Sequence, residues 1–200
     1  KLHRLWVSLS KWKKFAAGAW AEQRQTIQRT HRIRHLSVVQ SQYSMAFREL
    51  ESNGVLDIYQ KLNIAFVAYS PLDRGFLTRL RISERFSTSW PWTLEANQEV
   101  ITFIKNVADS KSVMRKKASI AQILLAWLLS QRNFIIPIPE TTKIRRLGEN
   151  LNASLISFSK AELDEINANL SKITIVGERY APGSDATKSV GLWDAYQQAH

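Results

Sequence analysis

The sequence predicts an α/β fold built on a parallel sheet, and three short apolar runs separated by helical spacings are what predict it. Ser37-Val38-Val39-Gln40 is a β-branched run, residues 64–69 are almost entirely apolar, and Phe134-Ile135-Ile136-Pro137-Ile138-Pro139 is apolar and stopped by prolines. Runs without polar alternation suit parallel strands covered on both faces. Strand–helix alternation of this kind specifies a parallel sheet. Three strands alone complete neither a closed barrel nor a comfortable open sheet.

Each intervening segment carries its own signal. Residues 1–35 place Trp6, Leu9, Trp12 and Phe15 at spacings that fit a helical face, and a second helix is expected from 21 to about 31. Residues 54–62 space Val55, Leu56, Ile58, Tyr59 and Leu62 as one helix face. Residues 71–93 form a long polar and aromatic connection, the kind that is usually functional or disordered. Residues 94–110 and 119–131 read as helices, the second with Ser119 as N-cap. Residues 143–151 form another. Ser159 followed by Glu162 is a capping box opening the last helix, with Leu163, Ile166 and Leu170 on its apolar face. Residues 181–200 are a polar tail in which only Leu192, Trp193 and Tyr196 offer anchors.

Composition narrows the chemistry. A hydrophobic share of 44% over 200 residues supports one domain with a real core. With no cysteine, disulfides, thiolate metal sites and thiol nucleophiles are excluded. No apolar run approaches the roughly 18 residues of a bilayer span, so no membrane partner is expected, and the reading is cytoplasmic. The basic start has no sustained apolar core and no Met, so it is not read as a signal peptide; it suggests a fragment or a processed start. The charge is +11, yet residues 1–35 hold nine Lys or Arg against one acid, Glu22. The rest is nearly balanced, which argues against a chain-wide nucleic-acid surface. His3, His31, His35 and His200 are scattered and form no metal-ligand spacing, so no metal is expected.

Several stretches together resemble the aldo-keto reductases. Val38-Val39-Gln40-Ser41-Gln42-Tyr43-Ser44 is similar to the family's sixth strand. Phe66-Val67-Ala68-Tyr69-Ser70-Pro71-Leu72-Asp73-Arg74-Gly75-Phe76-Leu77 resembles its seventh strand and phosphate loop. Residues 121–129 are similar to the helix between its last two strands, and residues 136–150 to its eighth strand and nucleotide-binding helix. Gly177-Glu178-Arg179-Tyr180 resembles a motif near its C-terminus. The match spans about residues 30–180 in the family's order. It implies a partial TIM (β/α)8 barrel, about the last three strands with their helices, plus an N-terminal helical segment. The domains are then a poorly matching basic helical segment at 1–35, the barrel part at 36–180 and the tail at 181–200.

The resemblance also implies a ligand, NADP(H). Gln40 would hydrogen-bond the nicotinamide carboxamide, for which an amide offers both donor and acceptor. Tyr69 would stack on the nicotinamide. Ser70, Leu72 and Arg74 would clamp the pyrophosphate with hydroxyl, backbone N–H and guanidinium groups, and Gly75 would permit close backbone approach. Thr142, Lys143 and Arg146 at a helix N-terminus would hold the 2′-phosphate. Glu149 and Asn150 would meet adenine. Asp73 stands where the family's branch usually has Gly, and Glu140 where Gly or Lys is usual. Both carboxylates lower the local positive potential, which implies weak binding.

The family's catalytic Asp, Tyr, Lys and His come from early strands, and nothing in this chain matches their motifs. No catalytic residue is therefore assigned. Carbonyl reduction needs a proton donor beside the hydride source, so the chain is expected to be truncated and inactive alone, reducing a carbonyl substrate only if the barrel is completed. A partner chain covering the open barrel is expected on the same ground, because exposed strand edges are an aggregation liability. The alternative is a non-enzymatic binding or regulatory protein that uses the basic N-terminal helices.

Overall fold

The computed structural model describes residues 24–75, 77–78 and 97–176, and of these the backbone alone at 74; at 5–6 and 17–20 it likewise describes only backbone. In chain order the elements are β1 (Leu5–Trp6), β2 (Ala17–Trp20), α1 (Arg24–Ile33), β3 (Leu36–Gln42), α2 (Glu49–Ser52), α3 (Val55–Lys61) and β4 (Ala65–Tyr69). There follow α4 (Gln98–Ser110), β5 (Ser112–Val113), β6 (Lys116–Lys117), α5 (Ile120–Gln131), β7 (Ile135–Pro137), α6 (Ile144–Leu151) and α7 (Lys160–Leu170). Two 3-10 turns lie at Asp73–Gly75 and Asn152–Leu155. Among the described residues no helix is long and apolar enough to cross a membrane.

The parallel sheet expected from the sequence is present and is larger than expected. Its order is β1-β2-β3-β4-β7, with β2, β3, β4 and β7 parallel and β1 antiparallel on the edge. Two of these five strands correct the reading of the N-terminal segment as wholly helical. Leu5–Trp6 pairs with Gly18–Ala19, and Ala17–Trp20 runs beside β3. In Ala-Gly-Ala-Trp only Trp20 favours a strand while Ala and Gly disfavour one, so pairing with the edge of β3 decides its conformation. The helix expected after it is found at Arg24–Ile33.

Rungs of the sheet alternate in burial. Val39, Phe66 and Ile135 are in register and all buried. The next rung, Gln40, Val67 and Ile136, is half-buried in β3 and β4 and 49% exposed at Ile136. Side chains of one rung of a parallel sheet share a face, so at these rungs one face is covered and the other is partly open, most so at Ile136. The covered face is an aromatic core: Phe66 lies 5.2 Å from Tyr59 and 6.0 Å from Tyr43, and Tyr43 lies 5.5 Å from Trp127.

The connections are short where the chain must turn at once. Asn63 takes φ +53, a left-handed position that Asn tolerates, and the Ile64 N–H donates to the Tyr59 carbonyl at 2.9 Å. This ends α3 and starts β4 with three residues between them. The capping box expected of Ser159 with Glu162 opens α7, and Ser119, the expected N-cap of α5, forms one as well with Gln122.

Candidate functional site

Loops at the carboxyl ends of the parallel strands carry the candidate residues, and that end is where parallel α/β sheets bind ligands. Gln40 does not end its strand, as the sequence reading has it. Strand β3 continues to Gln42, whose Cα partner is Tyr69. The terminal residue is displaced by two because Ser41 and Gln42 still find partners in β4. Gln40 and Tyr69 lie two residues apart in register on the open face, both half-buried. Gln42, on the same face, is only 6% exposed.

Beyond Tyr69 the chain makes a strained turn. Ser70 (φ +52), Asp73 (φ +46) and Gly75 (φ +81) all lie in the left-handed region. Asp73 N–H donates to the Ser70 carbonyl at 3.0 Å, and Gly75 N–H to the Leu72 carbonyl at 2.7 Å. Gly75 adopts this conformation without steric cost, Asp73 at little cost and Ser70 at more. Leu72 packs against the core, so its side chain anchors the turn. Arg74 lies in the 3-10 turn, and its side chain is outside the described residues. So is the motif at 177–180.

On the neighbouring strand the Ile138 N–H donates to the Ala68 carbonyl at 3.1 Å, carrying the pairing past Pro137. The chain then reaches α6. Thr142, Lys143 and Arg146 are exposed and, with Ile144 and Arg145, line an open cavity of about 500 Å3. Lys143 is the N-cap, has no side-chain cap bond, and gives its own N–H to Thr141 Oγ1 at 3.2 Å. The first N–H groups of an α-helix have no partner within it. Three cations and those donors therefore lie along the border of one open cavity. Asn150 and Glu149 are half-buried further along α6, and the Glu149 carbonyl accepts from Gln122 Nε2 at 3.1 Å.

The candidates thus form three groups at one end of the sheet: Gln40 with Tyr69, the turn holding Ser70, Leu72 and Arg74, and the start of α6. The cavity at α6 does not include the first two groups. Two residues escaped the sequence reading as functional. Ser44 is fully buried just past β3 and bonds Asp73, while Gln122 serves α5 and α6 at once. The spacing of Gln122 from Ser119 was a capping signal; nothing local announced Ser44. Tyr43, between Gln42 and Ser44, donates to Glu51 Oε1 at 2.8 Å. Burial, reinforced by the Glu51 carboxylate, pushes its hydroxyl well above the usual phenol range.

Helices packed on one face of a parallel sheet, joined to its strands in alternation, define a βα-repeat protein. The aldo/keto reductase family pattern matches residues 16–170, and the chain belongs to that family. The match starts at residue 16 and takes in β2, ahead of residue 36 where the sequence reading placed the family-like part. The chain is 34% identical over 166 residues to probable aldo-keto reductase 1 of Glycine max, covering 80% of this chain and 47% of that protein. It is 32% identical over 171 residues to aldo-keto reductase yakc of Schizosaccharomyces pombe, whose name carries NADP(+), covering 80% and 49%. The crystal structure of the thermostable aldo-keto reductase Tm1743 with the inhibitor epalrestat is similar with a TM-score of 0.53 and 27% identity, covering 76% of this chain and 47% of that one. The chain spans about half the length of the curated relatives it matches.

Proposed function

We infer that this chain is the nucleotide-holding side of an NADP(H)-dependent oxidoreductase barrel. The observation that carries the reading is the convergence of Lys143, Arg145 and Arg146 with the open N-terminus of α6 around one cavity. A dianionic phosphate monoester suits that combination of fixed donors and mobile cations. The NADP(+) in the name of the yeast relative supports the same ligand.

Each group then has a part. Lys143, Arg146 and Thr142 hold the 2′-phosphate, and Glu149 and Asn150 lie along α6 towards the adenine. Ser70, the Leu72 backbone and Arg74 hold the pyrophosphate. Tyr69 supports the nicotinamide and the Gln40 amide pairs with its carboxamide. The cofactor would supply hydride. The chain's own residues orient it and offer no family proton donor, so the 200 residues by themselves bind without reducing a carbonyl. Glu140 lowers the local positive potential and keeps that binding weak.

The open sheet face supports the partial-barrel reading. Ile136 of β7, the last strand of the sheet, and Ile138 just past it stay exposed, as do Ile144, Leu147 and Leu151 of α6. These surfaces would be covered by the other strands of a closed barrel or by a partner chain. A carbonyl substrate enters only in that completed form.

Fluorescence titration tests the reading. NADPH is expected to bind more tightly than NADH, and Lys143→Ala with Arg146→Ala is expected to abolish the difference. Equal affinity for the two dinucleotides in the wild-type chain would overturn it. An aldehyde panel with NADPH is expected to give no turnover.

A further inference from the structure

A hydrogen bond from a fully buried serine joins two loops at the candidate nucleotide end. Ser44, fully buried, donates its hydroxyl proton to Asp73 Oδ1 at 2.8 Å. The same Ser44 oxygen accepts the Phe47 N–H at 3.0 Å, so both its donor and an acceptor site are engaged. Ser44 and Phe47 also exchange two backbone bonds of 3.2 Å. That makes the exit of β3 a closed turn rather than a slack loop. Asp73 in turn belongs to the strained turn after β4, in a left-handed conformation that only Gly, Asn and Asp adopt with ease.

We propose that Asp73 is a positioning residue, which ties the turn of Ser70–Leu72–Gly75 to the exit of β3 and so presets the pyrophosphate-facing donors relative to Gln40. The inference rests on the nucleotide reading above. It also changes the meaning of the carboxylate: Asp73 Oδ1 is engaged with Ser44, so it holds the turn in shape as well as adding negative charge. A turn fixed before the ligand arrives loses less conformational entropy on binding. The effect falls on the pyrophosphate, which NADPH and NADH share, and leaves the 2′-phosphate contacts at Lys143 alone.

Four variants read this out by fluorescence titration of both dinucleotides, with melting temperature as the control for folding. Asp73→Gly removes the acceptor while suiting the left-handed backbone, and Ser44→Ala removes the donor. Each is expected to weaken NADPH and NADH by the same factor, about tenfold. The double variant is expected to lose less than the two single losses combined, because both remove the shared Ser44–Asp73 bond while Ser44→Ala also removes an acceptor of the Phe47 N–H. Asp73→Asn keeps an acceptor oxygen and tolerates positive φ, so it is expected to stay within about threefold of wild type. Additive losses, an unaltered Asp73→Gly, or one that binds more tightly would overturn the positioning role while leaving the nucleotide reading intact. A wild-type chain that binds neither dinucleotide would overturn the nucleotide reading itself, and the role of Asp73 with it.

Discussion

Gln122 of α5 donates its Nε2 proton to the carbonyl of Glu149 at 3.1 Å while its Oε1 accepts the Ser119 N–H at 3.0 Å. One amide therefore completes the capping box of α5 and moors the far end of α6, the helix that carries the candidate phosphate groups. The side chain is nearly fully buried. Only an amide does both, because a carboxylate accepts and does not donate. Gln122→Glu is expected to keep the cap and strand the Glu149 carbonyl, costing about 1 to 3 kcal/mol. Urea unfolding measures this; a variant as stable as wild type would show that the second bond carries no weight.

Acid sensitivity is expected at the start of α7. The Lys111 ammonium bonds Glu162 at 2.6 Å, and the Ser159 backbone and hydroxyl add to the effect, holding the carboxyl down to about 2. A depressed carboxylate contributes stability above its unfolded value of 4.5, and that contribution is lost as pH falls towards 2. Glu162→Gln keeps a capping acceptor and has nothing to titrate. Its melting temperature is expected to lie below wild type at neutral pH and to converge with it at the acid end. A constant offset across that range would refute the assignment.

How much of this was legible beforehand follows from where each signal resides. Strands β4 and β7 and helices α3, α5 and α7 were readable because their apolar patterns and caps are local, as with Ser119 and Ser159. Strand β2 was not, since Ala17–Trp20 is made a strand by pairing with Leu36–Gln40 rather than by its own residues. The site divided in the same way. The cations at 143–146 are contiguous and could be read in order, whereas Ser44 and Asp73 meet across 29 positions. The extension of β3 to Gln42 was hidden too, because Ser and Gln carry little strand preference and only the Ala68–Tyr69 partner strand holds them extended.

The outward apolar face of α6 carries a prediction about association. Ile144, Leu147 and Leu151 of α6, with Leu155 of the 3-10 turn that follows, are 49–86% exposed. Exposed apolar patches of this kind drive contacts between molecules. Light scattering of the 200-residue chain is expected to show a mass that rises with concentration. Leu147→Glu combined with Leu151→Lys is expected to suppress the rise without lowering the melting temperature. A wild-type chain that stays monomeric at all concentrations would contradict this.

The junction between α1 and β3 is expected to weaken on mild acidification. The Leu36 N–H donates to His31 Nδ1 at 3.2 Å, and Leu36 is fully buried at the first position of the strand. That bond needs a ring with a free Nδ1 lone pair, which protonation removes. Burial lowers the His31 value below 6.5, and the His35 ring 4.5 Å away lowers it further by like-charge repulsion. A group depressed in the fold takes up its proton more readily when unfolded, so its contribution is present above 6.5 and is lost as pH falls below it. His31→Asn retains an acceptor that does not titrate and is expected to flatten melting temperature against pH between about 5 and 7. His35→Ala is expected to shift the wild-type fall to a higher pH by removing the neighbouring charge. If both variants follow the wild-type curve, the imidazole pair does not govern this junction.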